Sequence, residues 1–66
     1  MISYNPLWKL LINKGVNKLA LRDMIGCSNG TLAKMGKDEF VNLKVIDKIC
    51  EVLDCRVEDV IEYRNH

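Results

Sequence analysis

The amino-acid sequence predicts an all-α fold: five short helices packed into one compact domain that spans residues 1–66. Apolar residues recur at helical spacing along most of the chain, and glycines stand where that spacing breaks. The 66 residues are 48% hydrophobic and 29% charged. This composition suits one small core, and no apolar run is long enough to cross a bilayer.

The first two helices are predicted from the segments "NPLWKLLINKG" and "VNKLALRDMIG". Asn5 is expected to cap the first helix and Pro6 to occupy its first position, where the missing N–H costs nothing. Gly15 and Gly26 are expected to end the two helices. The residues expected to face the core are Leu7, Leu10 and Leu11 in the first helix, and Leu21, Met24 and Ile25 in the second.

The other three helices are predicted from "SNGTLAKMG", "NLKVIDKICEVLD" and "RVEDVIE". The two ends of the chain, "MISY" and "VIEYR", alternate in polarity and favour β structure, so they are expected to pair as a small two-stranded ribbon. The fourth helix has the longest apolar stripe, formed by Leu43, Ile46, Ile49, Cys50 and Leu53.

One local pattern recurs three times and indicates where helices begin. In each case a polar residue that can cap a helix follows an apolar residue that can pack on the fourth helical position. The pattern predicts N-caps at Asn17, Ser28 and Asn42, with the packing pairs Val16 and Leu21, Cys27 and Leu32, and Val41 and Ile46.

The cysteine and histidine content argues against a metal site or a disulfide framework. Cys27, Cys50 and Cys55 form no CxxC pair, and the one histidine is His66. Such usage is typical of a reduced cytoplasm, so we expect a cytoplasmic protein with no metal, no cofactor and mostly buried thiols, Cys55 being partly exposed. No basic start or cleavage site marks the N-terminal segment, which is interpreted as part of the fold rather than a signal peptide. An enzyme is the least expected class, because no catalytic arrangement shares a helix face.

The charge is polarised although the net charge is only +1. Residues 1–37 hold six basic side chains against one acidic side chain, whereas residues 38–66 hold four basic and eight acidic ones. A protein that touches a polyanion with one end needs this distribution, although a solvated basic face would give it too.

The stretch "GCSNGTLAKMGKDE" begins with the turn between the second and third helices. Gly26 can adopt a left-handed conformation, Cys27 is expected to point into the core, and Ser28 is expected to cap the third helix. So short a turn makes the two helices cross steeply. This is the helix-turn-helix arrangement, whose second helix can enter the major groove of DNA.

The run "LRDMIGCSNGTLAKMGK" and the ending "LDCRVEDVI" resemble the Cro/CI-type (lambda-repressor-like, XRE) regulators over essentially the whole chain. The resemblance implies a five-helix DNA-binding fold and a transcriptional regulator that binds double-stranded DNA, here interpreted as a homodimeric repressor with no membrane association and no small-molecule effector. There are three departures from the family pattern: Lys18 replaces a usual Gln, Arg22 replaces a usual small Ala, and Leu11 with Gly36 replace an Arg–Glu pair. The joint loss of that pair suggests an apolar joint between the two helices.

Carried over by position, the resemblance implies which residues contact DNA. Asn can bond adenine, Lys can reach guanine and Thr can offer a methyl or a hydroxyl to base edges. Gly30 would permit close backbone approach, although it can also be read as a tolerated poor helix former. Base contacts are assigned to Asn29, Gly30, Thr31 and Lys34, and phosphate contacts to Asn17, Lys18, Ser28, Lys37, Asn42 and Lys44, with Ser28 more a cap than a contact.

The remaining large apolar residues are given structural roles. Trp8 is expected to anchor the core or its flank, and Phe40 to cover the core from a loop. Val45 and Val52, with Ile61 and Tyr63, form a candidate dimer face, although core burial also explains Val45. The alternative function is a protein-interaction module, antirepressor-like or antitoxin-like, that keeps the fold without binding DNA.

Overall fold

The computed structural model describes residues 1–65, so the expectation concerning His66 lies outside the described residues. The structure contains α-helices and one two-stranded antiparallel sheet. A 3₁₀ turn, Val57–Asp59, precedes the second strand. In chain order the elements are β1 (Ile2–Ser3), α1 (Asn5–Lys14), α2 (Lys18–Ile25), α3 (Asn29–Gly36), α4 (Leu43–Leu53) and β2 (Glu62–Tyr63).

The three predicted N-caps are confirmed. Asn17 accepts a hydrogen bond from the Ala20 amide at 2.7 Å, and Ser28 accepts one from the Thr31 amide at 3.1 Å. Asn42 accepts one from the Lys44 amide at 2.8 Å. Each bond satisfies an amide that has no partner inside its own helix, so the starts of α2, α3 and α4 are fixed by local chemistry.

The predicted start of α1 is wrong by one residue. Tyr4 is the N-cap residue and Asn5 is already helical, while the hydroxyl of Ser3 accepts from the Asn5 amide at 3.2 Å. Pro6 lies in the first turn as expected. The end of α1 is confirmed: Gly15 has φ 68°, a left-handed value that favours glycine.

All four helices contribute to the core, and most of the predicted stripes belong to it. Ile46, Ile49 and Leu53 of α4 are buried with residues of the other helices. Cys50 and Leu10 are half-buried at its edge. The fully enclosed set further comprises Tyr4, Leu7, Leu11, Leu21, Met35 and Val60.

Three residues that were predicted to face or cover the core are exposed instead. Phe40 is 78% exposed, Leu43 is 76% exposed and Met24 is 42% exposed. On α2, Ile25 packs on the core beside the buried Leu21, whereas Met24 does not. The first turn of α4 and the loop before it border a surface groove, so Leu43 and Phe40 stand at its rim rather than under a neighbouring element.

The prediction of a fifth helix in the segment "RVEDVIE" was wrong, since only the 3₁₀ turn Val57–Asp59 forms there. The carboxylate of Asp59 accepts from the Arg56 amide at 3.0 Å and closes this single turn. The chain then becomes extended because β2 pairs with β1, with Ile2 opposite Tyr63 and Ser3 opposite Glu62. The predicted terminal ribbon is therefore confirmed, and its pairing ends the helical segment.

The loop between α3 and α4 is fastened to the start of the chain. Asp38 has φ 56°, and its carboxylate accepts a hydrogen bond from the Tyr4 amide at 3.1 Å. The buried Tyr4 hydroxyl donates to the carbonyl of Glu39 at 2.8 Å. These two bonds hold the end of α3 against the start of α1. None of the helices in the described residues has the length and apolarity needed to span a membrane.

Candidate nucleic-acid interface

The predicted turn between α2 and α3 is present. Gly26 has φ 69° and donates its amide to the carbonyl of Arg22 at 2.9 Å, which closes α2. Cys27 is half-buried, and Ser28 caps α3 directly afterwards. The left-handed conformation at Gly26 is strained for a residue with a side chain, so this glycine sets the direction in which α3 leaves α2.

α3 is anchored by one side and exposed on the other. Met35 is fully buried and Leu32 packs at the edge of the core. Three of the four predicted base-contacting residues, Asn29, Gly30 and Lys34, are exposed. Because residues four apart lie one above the other on a helix, Gly30 and Lys34 form a continuous surface strip.

Thr31, the fourth predicted base-contacting residue, is half-buried. Its hydroxyl is 3.1 Å from the Ser28 hydroxyl, within the cap of α3. It also lines a surface cavity of about 350 Å³ with the side chains of Lys44 and Lys48 on α4. The structure thus brings Thr31 together with one predicted phosphate contact, Lys44.

No other part of the protein packs tightly against Gly30. A Cβ added at this position would meet the Ser28 hydroxyl oxygen at 3.7 Å as its nearest neighbour, which is an ordinary contact. Its φ is not in the left-handed region. Neither packing nor backbone conformation within the chain therefore requires a glycine here, although glycine weakens a helix.

Arg22 bridges α2 and α3. Its guanidinium donates to the side-chain oxygen of Asn29 and, through two other nitrogens, to the carboxylate of Asp23 at 3.0 and 3.2 Å. The departure at position 22 thus points outward rather than crowding the helix crossing, and it holds a predicted base-contacting side chain. Arg22 was not among the residues predicted to contact DNA; an arginine in place of a small residue beside the turn was the sequence signal.

The predicted phosphate-contacting lysines differ in their surroundings. The Lys18 ammonium lies 4.3 Å from the centre of the Trp8 ring, a cation–π contact that holds it over α1. Trp8 is thus a half-buried flank residue, as expected. Lys37 and Lys44 are exposed at the end of α3 and the start of α4. Lys48, which the sequence reasoning missed, is one turn beyond Lys44 and is paired with Glu51 at 3.0 Å.

Two of the three polar caps keep side-chain donors for phosphate, because the cap bond engages the oxygen of Asn17 and Asn42 and leaves the NH₂ group of each. The oxygens of Asn17, Ser28 and Asn42 each accept from a backbone amide of the helix that they cap. All three residues are nevertheless exposed, so the other amides of each first turn point toward solvent. An anion at these positions would bind through backbone amides and the positive end of the helix dipole, joined at Asn17 and Asn42 by the side-chain NH₂ group.

An apolar contact was expected in place of the charged pair, and only one of its two positions, Leu11, contributes to the core. Leu11 is buried in the core, whereas Gly36 is exposed with open space around it. Met35, one residue earlier, supplies the apolar contribution of α3 to the core that also contains Leu11.

The thiols and carboxylates of the described residues are not grouped for metal binding. Residues 1–65 hold no group of three or more His, Cys, Asp or Glu side chains placed to bind a metal ion. Cys27, Cys50 and Cys55 are free and half-buried. Burial, followed by the neighbouring Cys50, raises the pKa of the Cys55 thiol to about 11, which keeps it protonated near neutral pH.

Comparison with known proteins places this geometry in a family. The family model of the Cro/C1-type HTH DNA-binding domain matches residues 6–65. In Bacillus subtilis (strain 168), the uncharacterized HTH-type transcriptional regulator YozG is 34% identical over 50 residues, which are 76% of this chain and 60% of YozG. This chain thus spans about 60% of the length of that relative.

A solved structure is similar over nearly the whole chain. The crystal structure of the transcriptional regulator VanUg superposes with a TM-score of 0.95 at 48% sequence identity, covering 98% of this chain and 87% of VanUg. Both relatives are named as transcriptional regulators. The chain belongs to the Cro/C1-type helix-turn-helix family of DNA-binding transcriptional regulators.

Proposed function

We propose that residues 1–66 act as one unit that binds a specific DNA sequence and represses transcription, with α3 (the helix predicted over 28–36) in the major groove. The observation that carries this proposal is the exposed surface of α3 formed by Asn29, Gly30 and Lys34. It combines an amide, an ammonium and a glycine that the protein's own packing does not require. Asn29 and Lys34 offer donors to base edges, and Gly30 lets the backbone approach them closely.

Phosphate contacts would fix α3 in the groove. Lys37 and Lys44 supply exposed ammonium groups at the two ends of the loop that follows α3. Backbone amides at the starts of α2, α3 and α4, next to Asn17, Ser28 and Asn42, supply further donors. Lys18 would contribute a further phosphate contact from its position over Trp8. Thr31, which lines a cavity with Lys44, would lie beside the DNA backbone rather than at a base edge.

The protein would act as a homodimer in the cytoplasm, where it meets DNA without a membrane or a small-molecule effector. Two copies would read half-sites about one helical turn apart, roughly 34 Å. Repression would follow from occupancy, since a dimer that covers a site excludes other proteins from it.

Selection of bound fragments from random duplex DNA tests this proposal. A palindromic consensus is expected, and Asn29→Ala or Lys34→Ala should weaken binding to the consensus more than binding to random DNA. Lys9→Ala, which removes an exposed lysine of α1, is the matched control and should leave the preference unchanged. Equal losses on both DNAs would reject base reading by these residues.

A second candidate function is a protein-interaction module without DNA binding. The observations that favour it are the acidic second half of the chain and the exposed Phe40 and Leu43. Salt dependence separates the two functions, because phosphate neutralisation makes affinity fall steeply with salt whereas an apolar protein interface does not. Absence of protected nucleotides at every ionic strength would favour the interaction module.

A further inference from the structure

We propose that two copies of this chain associate through a self-complementary apolar surface made of the side chains of Phe40, Leu43 and Tyr63 and the groove that they border. The groove has a volume of about 190 Å³, and Phe40 and Leu43 stand at its rim. Its other lining residues are Ile2, Tyr4, Val41, Ile46 and Ile61. This inference rests on the homodimeric DNA binding proposed above and names the surface that would hold the dimer together.

The exposed side chains and the groove form one continuous face. Phe40 and Leu43 are 78% and 76% exposed, yet both line the groove. Tyr63, 72% exposed, pairs with Ile2 across the ribbon, and directly opposed residues of an antiparallel pair project to the same side. Tyr63 therefore extends the face beyond the groove on the ribbon side.

A projecting apolar side chain beside an apolar groove is the arrangement that a two-fold dimer requires. In such a dimer the same patch is used by both copies, so a residue of one copy enters the site that its counterpart presents on the other. Phe40 is placed to insert into the partner's groove while the partner's Phe40 enters its own. A second copy of this chain carries both the projecting Phe40 and the groove that would receive it.

The exposed area is consistent with a dimer interface. At these exposures the three side chains present roughly 400 Å² of mainly apolar surface, since aromatic side chains bury about 150–250 Å² each. A standard interface takes about 800 Å² from each partner. Ile2, Val41 and Ile61, which are half-buried in the groove, supply part of the remainder.

Position also favours a second copy. Phe40 and Leu43 lie along the chain between Lys37 and Lys44, the proposed phosphate contacts, so dimerisation here would bring the two DNA-binding units side by side. Of the candidate dimer face predicted from the sequence, this surface keeps Ile61 and Tyr63, while Phe40 and Leu43 take the place of the half-buried Val45 and Val52.

Sedimentation of the full chain and of neutral variants tests the proposal. The wild-type protein is expected to sediment as twice the 7.6 kDa of one chain. Phe40→Gln and Leu43→Gln should each raise the dimer dissociation constant at least about tenfold, as removal of a central apolar contact does. Ile12→Gln is the matched control, because Ile12 is also 78% exposed but lies on α1 away from the groove.

Circular dichroism melts establish that each variant is folded. Dimerisation unchanged by Phe40→Gln and Leu43→Gln, or weakened equally by Ile12→Gln, would overturn the proposal. A wild-type chain that stays monomeric up to about 1 mM would overturn it too, and would leave the groove to a different partner.

DNA binding distinguishes failure of this inference from failure of the proposed function. Phe40→Gln should bind a duplex with a single half-site as tightly as wild type, but should lose the extra affinity for the palindrome. Phe40-dependent dimers that bind no DNA would refute the proposed function and support this interface. DNA binding by dimers that do not depend on Phe40 would refute this interface and leave the proposed function intact.

Discussion

The guanidinium of Arg22 on α2 donates a hydrogen bond to the side-chain oxygen of Asn29, the first residue of α3. Asp23 holds the same guanidinium from the other side. The amide of Asn29 is therefore oriented by α2, and its NH₂ group remains free to donate to a base edge. An interaction between α2 and α3 thus sets which way a candidate base-reading group points.

The first prediction concerns this pair. Asn29→Ala should weaken binding to the selected site by about 1–3 kcal/mol, the range for loss of a base contact. Arg22→Ala should weaken it too, because the amide of Asn29 loses its orienting donor. Since the two residues act as a unit, the double variant should lose less than the sum of the single losses. Strictly additive losses in a titration of all four proteins would contradict the coupling.

The second prediction concerns Gly30. Gly30→Ala should stabilise the free protein by about 0.5–1 kcal/mol, because alanine favours the helix and its Cβ meets nothing closer than 3.7 Å. The same change should weaken DNA binding, because the Cβ would stand between the backbone and the bases. Urea denaturation and DNA titration measure the two effects.

Gly36→Ala is the matched control for Gly30. Gly36 is also helical and exposed, and a Cβ there would meet nothing within 4 Å. This variant should gain stability without losing DNA affinity. If both variants bind DNA as tightly as wild type, Gly30 is only a tolerated poor helix former.

The third prediction concerns the fastening of the α3–α4 loop. Tyr4→Phe removes the hydrogen bond to the Glu39 carbonyl and should cost about 1 kcal/mol of unfolding free energy. For a domain of this size the melting temperature should fall by roughly 4–8 °C. Tyr63→Phe is the control, since Tyr63 is 72% exposed and should melt close to wild type. Equal melting temperatures for the two variants would show that the Tyr4 bond contributes nothing.

The fourth prediction concerns alkaline pH. The pKa of Cys55 rises from 9.0 to about 11 on folding, chiefly through burial, so the unfolded chain loses this proton at a lower pH than the folded chain. The stabilisation is complete below pH 9 and is lost as pH rises from 9 toward 11. Burial also raises the pKa of Tyr4 above 10.0. Between pH 9 and 10 the loss of stability therefore reports on Cys55 rather than on Tyr4.

Cys55→Ala separates this effect from other titrations. The free energy of unfolding of wild type should fall between pH 9 and 10, and the variant should lose less over the same interval. Urea denaturation at several pH values measures both slopes. Parallel slopes would mean that the Cys55 proton is not linked to folding.

The local features of the fold could be predicted because each depends on a few neighbouring residues. Asn17, Ser28 and Asn42 cap helices through amides two or three residues away, and Gly15 and Gly26 end helices through their own backbone conformation. The helix-turn-helix follows from these signals, since it requires only two helix ends and the turn between them.

The exposure of single residues could not be predicted in the same way. Leu43 is in phase with Ile46 and Ile49 on α4, and the periodicity does not distinguish them. Leu43 is exposed because the face beside it is a groove formed with the distant ribbon. Phe40 shares that groove, and its loop is positioned by bonds to Tyr4, 35 positions away along the chain.

The candidate site divides in the same manner. The resemblance to the Cro/CI-type regulators was enough to predict Asn29, Gly30 and Lys34, which α3 exposes, although it also included the half-buried Thr31. Only tertiary structure joined Arg22 to Asn29, held Lys18 over Trp8 and set Thr31 beside Lys44. Caps and turns depend on residues within a few positions of one another, so the local sequence is enough to predict them. Side-chain partners and exposure are decided by elements that meet only after folding.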